Sequence, residues 1–124
     1  MEPVKILIVD DEPTVRAVAR RMLDKQFVVI EASDGKEAIS IARFQKPALI
    51  LMDVMMPRMD GNTACSILKS DELTKLIPVV MLSGVTYELN KKLATVMGAD
   101  AYITKPFSAQ DLLNTVHRFL KLSQ

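Results

Sequence analysis

Three carboxylates, a hydroxyl and an ammonium each close a short apolar run in this chain of 124 residues. Val4 to Val9 leads into Asp10 and Asp11, Ala48 to Met52 into Asp53, Val79 to Leu82 into Ser83, and Ala101 to Thr104 into Lys105. Carboxylates suit a metal ion or a phosphoryl group, and a hydroxyl or ammonium can pair with phosphoryl oxygens. If the runs are parallel strands, these groups meet at one edge, and in open α/β sheets the carboxyl edge is where ligands bind. Two carboxylates about 4 Å apart repel by roughly 4 kcal/mol at an effective dielectric near 20, so converging aspartates are destabilising until something neutralises them.

Four to six consecutive apolar residues mark a strand buried on both faces, as in a parallel sheet covered by helices. Phe27 to Ile30 adds one more such run. Segments of helical period lie between. Val15, Val18, Ala19, Met22 and Leu23 stripe a helix expected from about Pro13 to Lys25, with proline tolerated in its first turn. Asp34, with Glu37 three residues on, caps a second helix marked by Ala38, Ile41 and Ala42. Ala64, Ile67 and Leu68 mark a third, and Leu89, Leu93, Val96 and Met97 a fourth that Gly98 stops. Ser108 caps a fifth, striped by Leu112, Leu113, Val116 and Leu120. Strand and helix thus alternate five times with short connections, which predicts an α/β doubly wound parallel sheet with helices on both faces, in a single domain over residues 1–124.

Apolar residues make up 49% and charged residues 25%, with 16 basic against 15 acidic side chains. That balance speaks against a disordered tail and gives no electrostatic reason to bind nucleic acid. Cys65 stands alone, so no internal disulfide is expected. No apolar stretch reaches signal-peptide or membrane-span length, so a cytoplasmic location without membrane contact is expected. Neither a P-loop nor G-x-G-x-x-G offers a nucleotide cradle.

Asp10 and Asp11, then Asp53, then MPRMDG from Met56 to Gly61, then Ser83, then Lys105 with Pro106 and Phe107 together resemble the receiver domain of bacterial two-component response regulators, over essentially the whole chain. The resemblance implies a flavodoxin-like five-stranded sheet with five helices and the strand order 2-1-3-4-5, the order shared by flavodoxin and the chemotaxis receiver. It implies a phosphorylatable switch in which Asp53 accepts a phosphoryl group from a phosphohistidine on a histidine kinase or histidine phosphotransfer protein. Mg²⁺, which takes a near-octahedral shell of oxygens, would be held directly by Asp11, Asp53 and the backbone carbonyl of Met55, with Asp10 acting mostly through a water. Lys105 would meet charge on the transferring group, aimed by a cis bond to Pro106. Pro57, Gly61 and Gly84 would be structural, and Gly84 stands where alanine is common. Ser83 and Tyr102 would form the switch pair. A downstream protein or output domain would read the face of the fourth helix, fifth strand and fifth helix, around Lys91, Lys92 and Tyr102. Met55 and Val85 would flank the path of the hydrolysing water, and both are apolar, so dephosphorylation should be slow. The chain would catalyse only its own phosphorylation and dephosphorylation, and would otherwise be no enzyme.

Two other classes remain open on the residues. A haloacid-dehalogenase-like phosphatase also sets an Asp nucleophile, Mg²⁺, Ser or Thr, and Lys on parallel strands. Its nucleophile, however, belongs to a D-x-D on the first strand, whereas Asp10 and Asp11 are adjacent, Glu12 is third, and no cap insertion is present. A docking pseudo-receiver that is never phosphorylated is opposed by the intact acidic set and Lys105. His117, near the end of the last helix, reads as a dipole-favoured residue. Met52, Met55, Met56 and Met59 read as packing, because thioethers are poor Mg²⁺ ligands. Arg20 with Arg21, and Lys91 with Lys92, read as solvated helix faces, and Cys65 as a small apolar residue.

Overall fold

The computed structural model describes residues 3–84, 92 and 95–122. Five parallel strands, β1 Lys5–Val9, β2 Val28–Ala32, β3 Leu49–Asp53, β4 Val79–Ser83 and β5 Ala101–Thr104, form one sheet in the order β2-β1-β3-β4-β5. Among the described residues four helices are delimited, α1 Pro13–Leu23, α2 Gly35–Gln45, α3 Gly61–Ser70 and α4 Ala109–Leu122. The flavodoxin-like sheet and its strand order are therefore as the sequence led us to expect. The further helix expected before Gly98 falls largely outside the described residues, Leu89 and Leu93 included. Thr95 and Val96 are helical, and Gly98, at φ 99°, adopts the left-handed turn that ends a helix. No helix among the described residues is long and apolar enough to cross a membrane.

Alternation along each strand sorts its side chains into two layers. Leu7 and Val9, Ile50 and Met52, and Val79 and Met81 pack with Ala38 and Ala42 of α2 and Ala64, Cys65 and Leu68 of α3. Ile6 and Ile8, Leu49 and Leu51, and Val80 and Leu82 pack instead with Ala19 and Leu23 of α1 and Leu112 and Val116 of α4. Both faces of the central strands are covered, so the apolar runs are continuous where a half-exposed strand would alternate. Each large side chain fully buried in this way stabilises the fold by roughly 1.5–3 kcal/mol.

The strand ends differ from the sequence expectation in an informative way. Phe27 lies before β2 and packs beside His117, with ring centroids 5.9 Å apart. Glu31, the charge that interrupts the apolar run, stays in the ladder opposite Ile8, because Arg16 and Arg20 pair with it at 3.0 and 2.7 Å. β3 likewise runs on to include Asp53, paired in register with Leu82, and α1 stops at Leu23 rather than Lys25. The caps fall as expected at Asp34, whose carboxylate accepts from the Glu37 N–H at 2.9 Å, and at Ser108, whose Oγ accepts from the Asp111 N–H at 3.0 Å. A further cap, not singled out in the sequence, is Asp60, which accepts from the Thr63 N–H at 2.7 Å and starts α3.

Candidate functional site

The order β2-β1-β3-β4-β5 makes β1 and β3 neighbours, and the chain leaves them toward opposite faces, α1 on one side and α3 on the other. That reversal opens a crevice at their carboxyl ends. Asp10 follows β1 and is fully buried, whereas Asp11 beside it is exposed. The Asp10 N–H donates to the Ala32 carbonyl at 3.1 Å, and its Oδ1 accepts from the Glu12 N–H at 2.9 Å, a local turn that sends the chain into α1. Asp53, 6% exposed, ends β3, and Ser83, 2% exposed, ends β4. The Lys105 N–H donates to the Ser83 carbonyl at 2.7 Å, and the Lys105–Pro106 bond is cis. From there the ammonium reaches across the edge, Nζ donating to Asp10 Oδ2 at 2.8 Å and to Asp53 Oδ1 at 3.2 Å.

Burial and the charge of Asp10 push the Asp53 carboxyl above its ordinary pKa, while Lys105 and the Met55 backbone N–H pull it back. Burial acts to depress Lys105, but its contacts with Asp10 and Asp53 outweigh this and its pKa is raised. One ammonium therefore balances two buried carboxylates, and the edge is left short of positive charge. One oxygen from each of Asp10, Asp11 and Asp53 lies within 4.8 Å of the others. An oxygen-only donor set with one solvent-facing member suits a hard divalent cation that keeps several waters, as Mg²⁺ does. The residues present fit that ion.

Around this centre one expectation, that Met55 packs, is corrected. Met52 is fully buried and Met56 and Met59 pack partly against the core, but Met55 is 70% exposed and is not packing. Val85 and Lys91 lie outside the described residues, and Lys92 is exposed. A Cβ at Gly61 would overlap the Asp53 carbonyl oxygen, so the loop through Pro57 closes onto the strand end only without a side chain there. Gly84 differs: a Cβ would meet no atom of the described residues within 4 Å, so space does not demand glycine. Tyr102 is half-buried on β5 and packs against the layer that holds α2 and α3. His117 is engaged structurally, its Nε2 lying 2.8 Å from Gln26 Oε1. Burial pushes the Cys65 thiol up to about 11, which leaves it no nucleophile.

Arg20 is half-exposed but ion-paired, not merely a solvated residue of the helix face. It hydrogen-bonds Glu31 through Nε at 2.9 Å and through the guanidinium end at 2.7 Å. Hydrogen bonds from Arg20 first, against opposing burial, and then from Arg16 hold the Glu31 carboxyl below its ordinary pKa. Arg16 also reaches the Asp10 backbone carbonyl at 2.7 Å. Sequence inspection missed this pair of arginines. Its visible signal was a glutamate inside a strand-like run and two arginines four apart on one helix.

The family model for the response regulator receiver domain matches residues 6–117. The chain is 40% identical over 121 residues to the alkaline phosphatase synthesis transcriptional regulatory protein PhoP of Bacillus subtilis, covering 97% of this chain and 50% of PhoP, so it spans about half the length of that relative. The chemotaxis protein CheY4 of Vibrio cholerae superposes with a TM-score of 0.90 at 31% identity, over 95% of this chain and 99% of that one. The receiver domain of sensor histidine kinase PA1611 of Pseudomonas aeruginosa, solved with a magnesium ion coordinated in its active-site cleft, superposes with a TM-score of 0.90 at 26% identity, over 97% and 99% of the two chains.

Proposed function

Because this chain belongs to the response regulator receiver domain family of two-component signal transduction, we propose that Asp53 takes a phosphoryl group from a phosphohistidine of a histidine kinase or phosphotransfer protein. The observation that carries this reading is the convergence on Asp53, with Lys105 Nζ at 3.2 Å and the oxygens of Asp10 and Asp11 within 4.8 Å. An Asp53 oxygen forms the new bond to phosphorus as the bond to the imidazole nitrogen breaks, and the imidazole leaves with the electron pair. Lys105, a point charge on a flexible stem, moves from the carboxylates to an oxygen of the arriving group. Asp11, Asp53 and the Met55 carbonyl would hold Mg²⁺, with Asp10 contributing through a water. The ion supplies positive charge for the equatorial oxygens of the transferring group. The Ser83 hydroxyl then donates to a phosphoryl oxygen, and its movement makes room for the Tyr102 ring, biasing a two-state equilibrium that partners read.

A groove of about 390 Å³ lined by Thr14, Val15, Val18, Lys105, Pro106 and Phe107 opens beside the ammonium, and in this reading the phosphohistidine protein rests against its apolar wall. The output, a partner protein or an attached domain, reads β5, Lys92 and the outer face of α4. A cytoplasmic location and no catalysis beyond its own phosphorylation and dephosphorylation belong to the same reading. The phosphatase alternative needs its nucleophile on β1, where Asp10 is tied to Lys105 and Glu12.

Amide hydrogen exchange with and without acetyl phosphate and Mg²⁺ tests the switch. Altered protection in β5 and α4 is the expected result; identical exchange there, in protein whose mass shows the added group, would overturn it. Lifetime is open to a separate test. The apolar side chains of Met55 and Val85 cannot hold a water in line with phosphorus, so replacing them with Asn and Glu should speed loss of the phosphoryl label several-fold once donor is removed. Unchanged or slower decay would mean that water access is controlled elsewhere.

A further inference from the structure

We propose that Arg16 is a positioning residue for the metal site, fixing the peptide unit that joins Asp10 to Asp11 and so the direction from which the two acids face a divalent cation. The inference rests on the magnesium reading above. β1 ends at Val9, so Asp10 has one foot in the sheet: its N–H still reaches Ala32 at 3.1 Å, but its carbonyl has left the ladder. A buried carbonyl needs a donor. Arg16 supplies it from the first turns of α1 at 2.7 Å.

The guanidinium is itself immobilised. Arg16 Nε pairs with Glu31 Oε1 at 3.0 Å, while Arg20 grips the other oxygen of the same carboxylate at 2.7 Å and the Val29 carbonyl at 3.2 Å. Glu31 lies on β2, so the bracket runs from that strand through Arg16 to the end of β1, with Arg20 holding Glu31 in place. A planar fork with donors in fixed directions can join two acceptors in this way, and a lysine ammonium cannot reproduce the geometry.

Because a peptide unit is planar, holding its oxygen sets the torsion after Asp10 and the torsion before Asp11 together. The Asp10 side chain has other restraints, namely Glu12 and Lys105. Asp11 has none of that kind: its side chain makes no hydrogen bond or ion pair among the described residues. Its aim depends on the backbone, and the backbone is aimed by Arg16.

Charge and position predict opposite outcomes. Arg16 is a cation beside an acidic cluster, so on charge alone its removal would tighten Mg²⁺ binding. As a clamp, its removal loosens the peptide and weakens binding, by roughly 10-fold, the lower end of what outer-shell partners contribute. Calorimetric titration of MgCl₂ into the full chain decides between them. Arg16→Met should weaken binding, and Arg16→Lys, which keeps the charge and loses the fork, should remain weakened. Arg21→Met, which removes a charge from an exposed position of the same helix, should bind as the parent does. Glu31→Ala releases the anchor without touching Arg16 and should also weaken binding, so the test survives if Arg16→Met fails to fold. Affinity equal to or tighter than the parent's in Arg16→Met, or unchanged in Glu31→Ala, would overturn the clamp. A parent chain that takes up no Mg²⁺ would overturn the metal reading and the clamp with it, and that result is distinct because it appears before any substitution is made.

Discussion

Acetyl phosphate with Mg²⁺ should add one phosphoryl group to the native chain and none to Asp53→Asn. An amide of the same shape keeps the packing at the end of β3 but offers no anionic oxygen, and its nitrogen lone pair is delocalised into the carbonyl. The neighbouring acids are poor substitutes for different reasons. Asp10 is fully buried and committed to Lys105 and Glu12. Asp11 is exposed and lacks the ammonium that Asp53 has at 3.2 Å. Intact-mass measurement after a short incubation reads the result directly, and chelating the metal should abolish the adduct. Equal mass shifts in both proteins would sink the assignment of Asp53.

In metal-free buffer Asp53→Asn and Lys105→Met should move stability in opposite directions. The Asp53 carboxyl is raised above its ordinary value of 3.8 by burial and by Asp10, so the folded state holds this proton more tightly than the unfolded chain does. At neutral pH the ionised group therefore opposes folding, and the penalty is relieved as pH falls through the raised pKa. Removing the charge should stabilise by roughly 1–2 kcal/mol, while Asp10 keeps its ammonium partner. Lys105→Met leaves two buried carboxylates with no counterion and should cost about 3 kcal/mol, or roughly 10 °C in melting temperature for a chain of this size. Mg²⁺ should return most of that loss, because a second cation takes over the neutralisation, and should raise the parent's melting temperature by mass action. Thermal melts with and without metal give the signs. Asp10→Ala does not belong with Asp53→Asn, because it also strands the Glu12 N–H and releases Lys105. If Asp53→Asn melts no higher than the parent without metal, the carboxylates do not repel as the geometry implies.

The apolar runs and helical stripes were enough to place every strand and the acidic edge, because a parallel sheet buried on both faces leaves so plain a trace in sequence. Even the end-of-strand positions of Asp53 and Ser83 were legible, to within a residue. What a linear reading cannot show is how one side chain divides itself among several partners. Lys105 was assigned to the incoming group, and its present bond to Asp10, across 95 positions of sequence, has no local signature. Arg20 looked like a solvated helix residue because a charge on an amphipathic helix usually is one; Glu31 on β2 made the difference. Met55 was taken as packing because methionine usually packs, yet the loop turns it outward.

Gly61 has a consequence at the level of the gene. Any base change in the first two positions of a glycine codon installs a side chain or ends translation, and at residue 61 any side chain begins with an atom that overlaps the carbonyl oxygen of Asp53. Selection for function should therefore keep this codon as closely as that of Asp53, although glycine brings no chemistry of its own. Gly84, whose added Cβ would meet no atom of the described residues within 4 Å, carries no such steric demand. Two glycines that look alike in the sequence thus differ in what a single added carbon would meet.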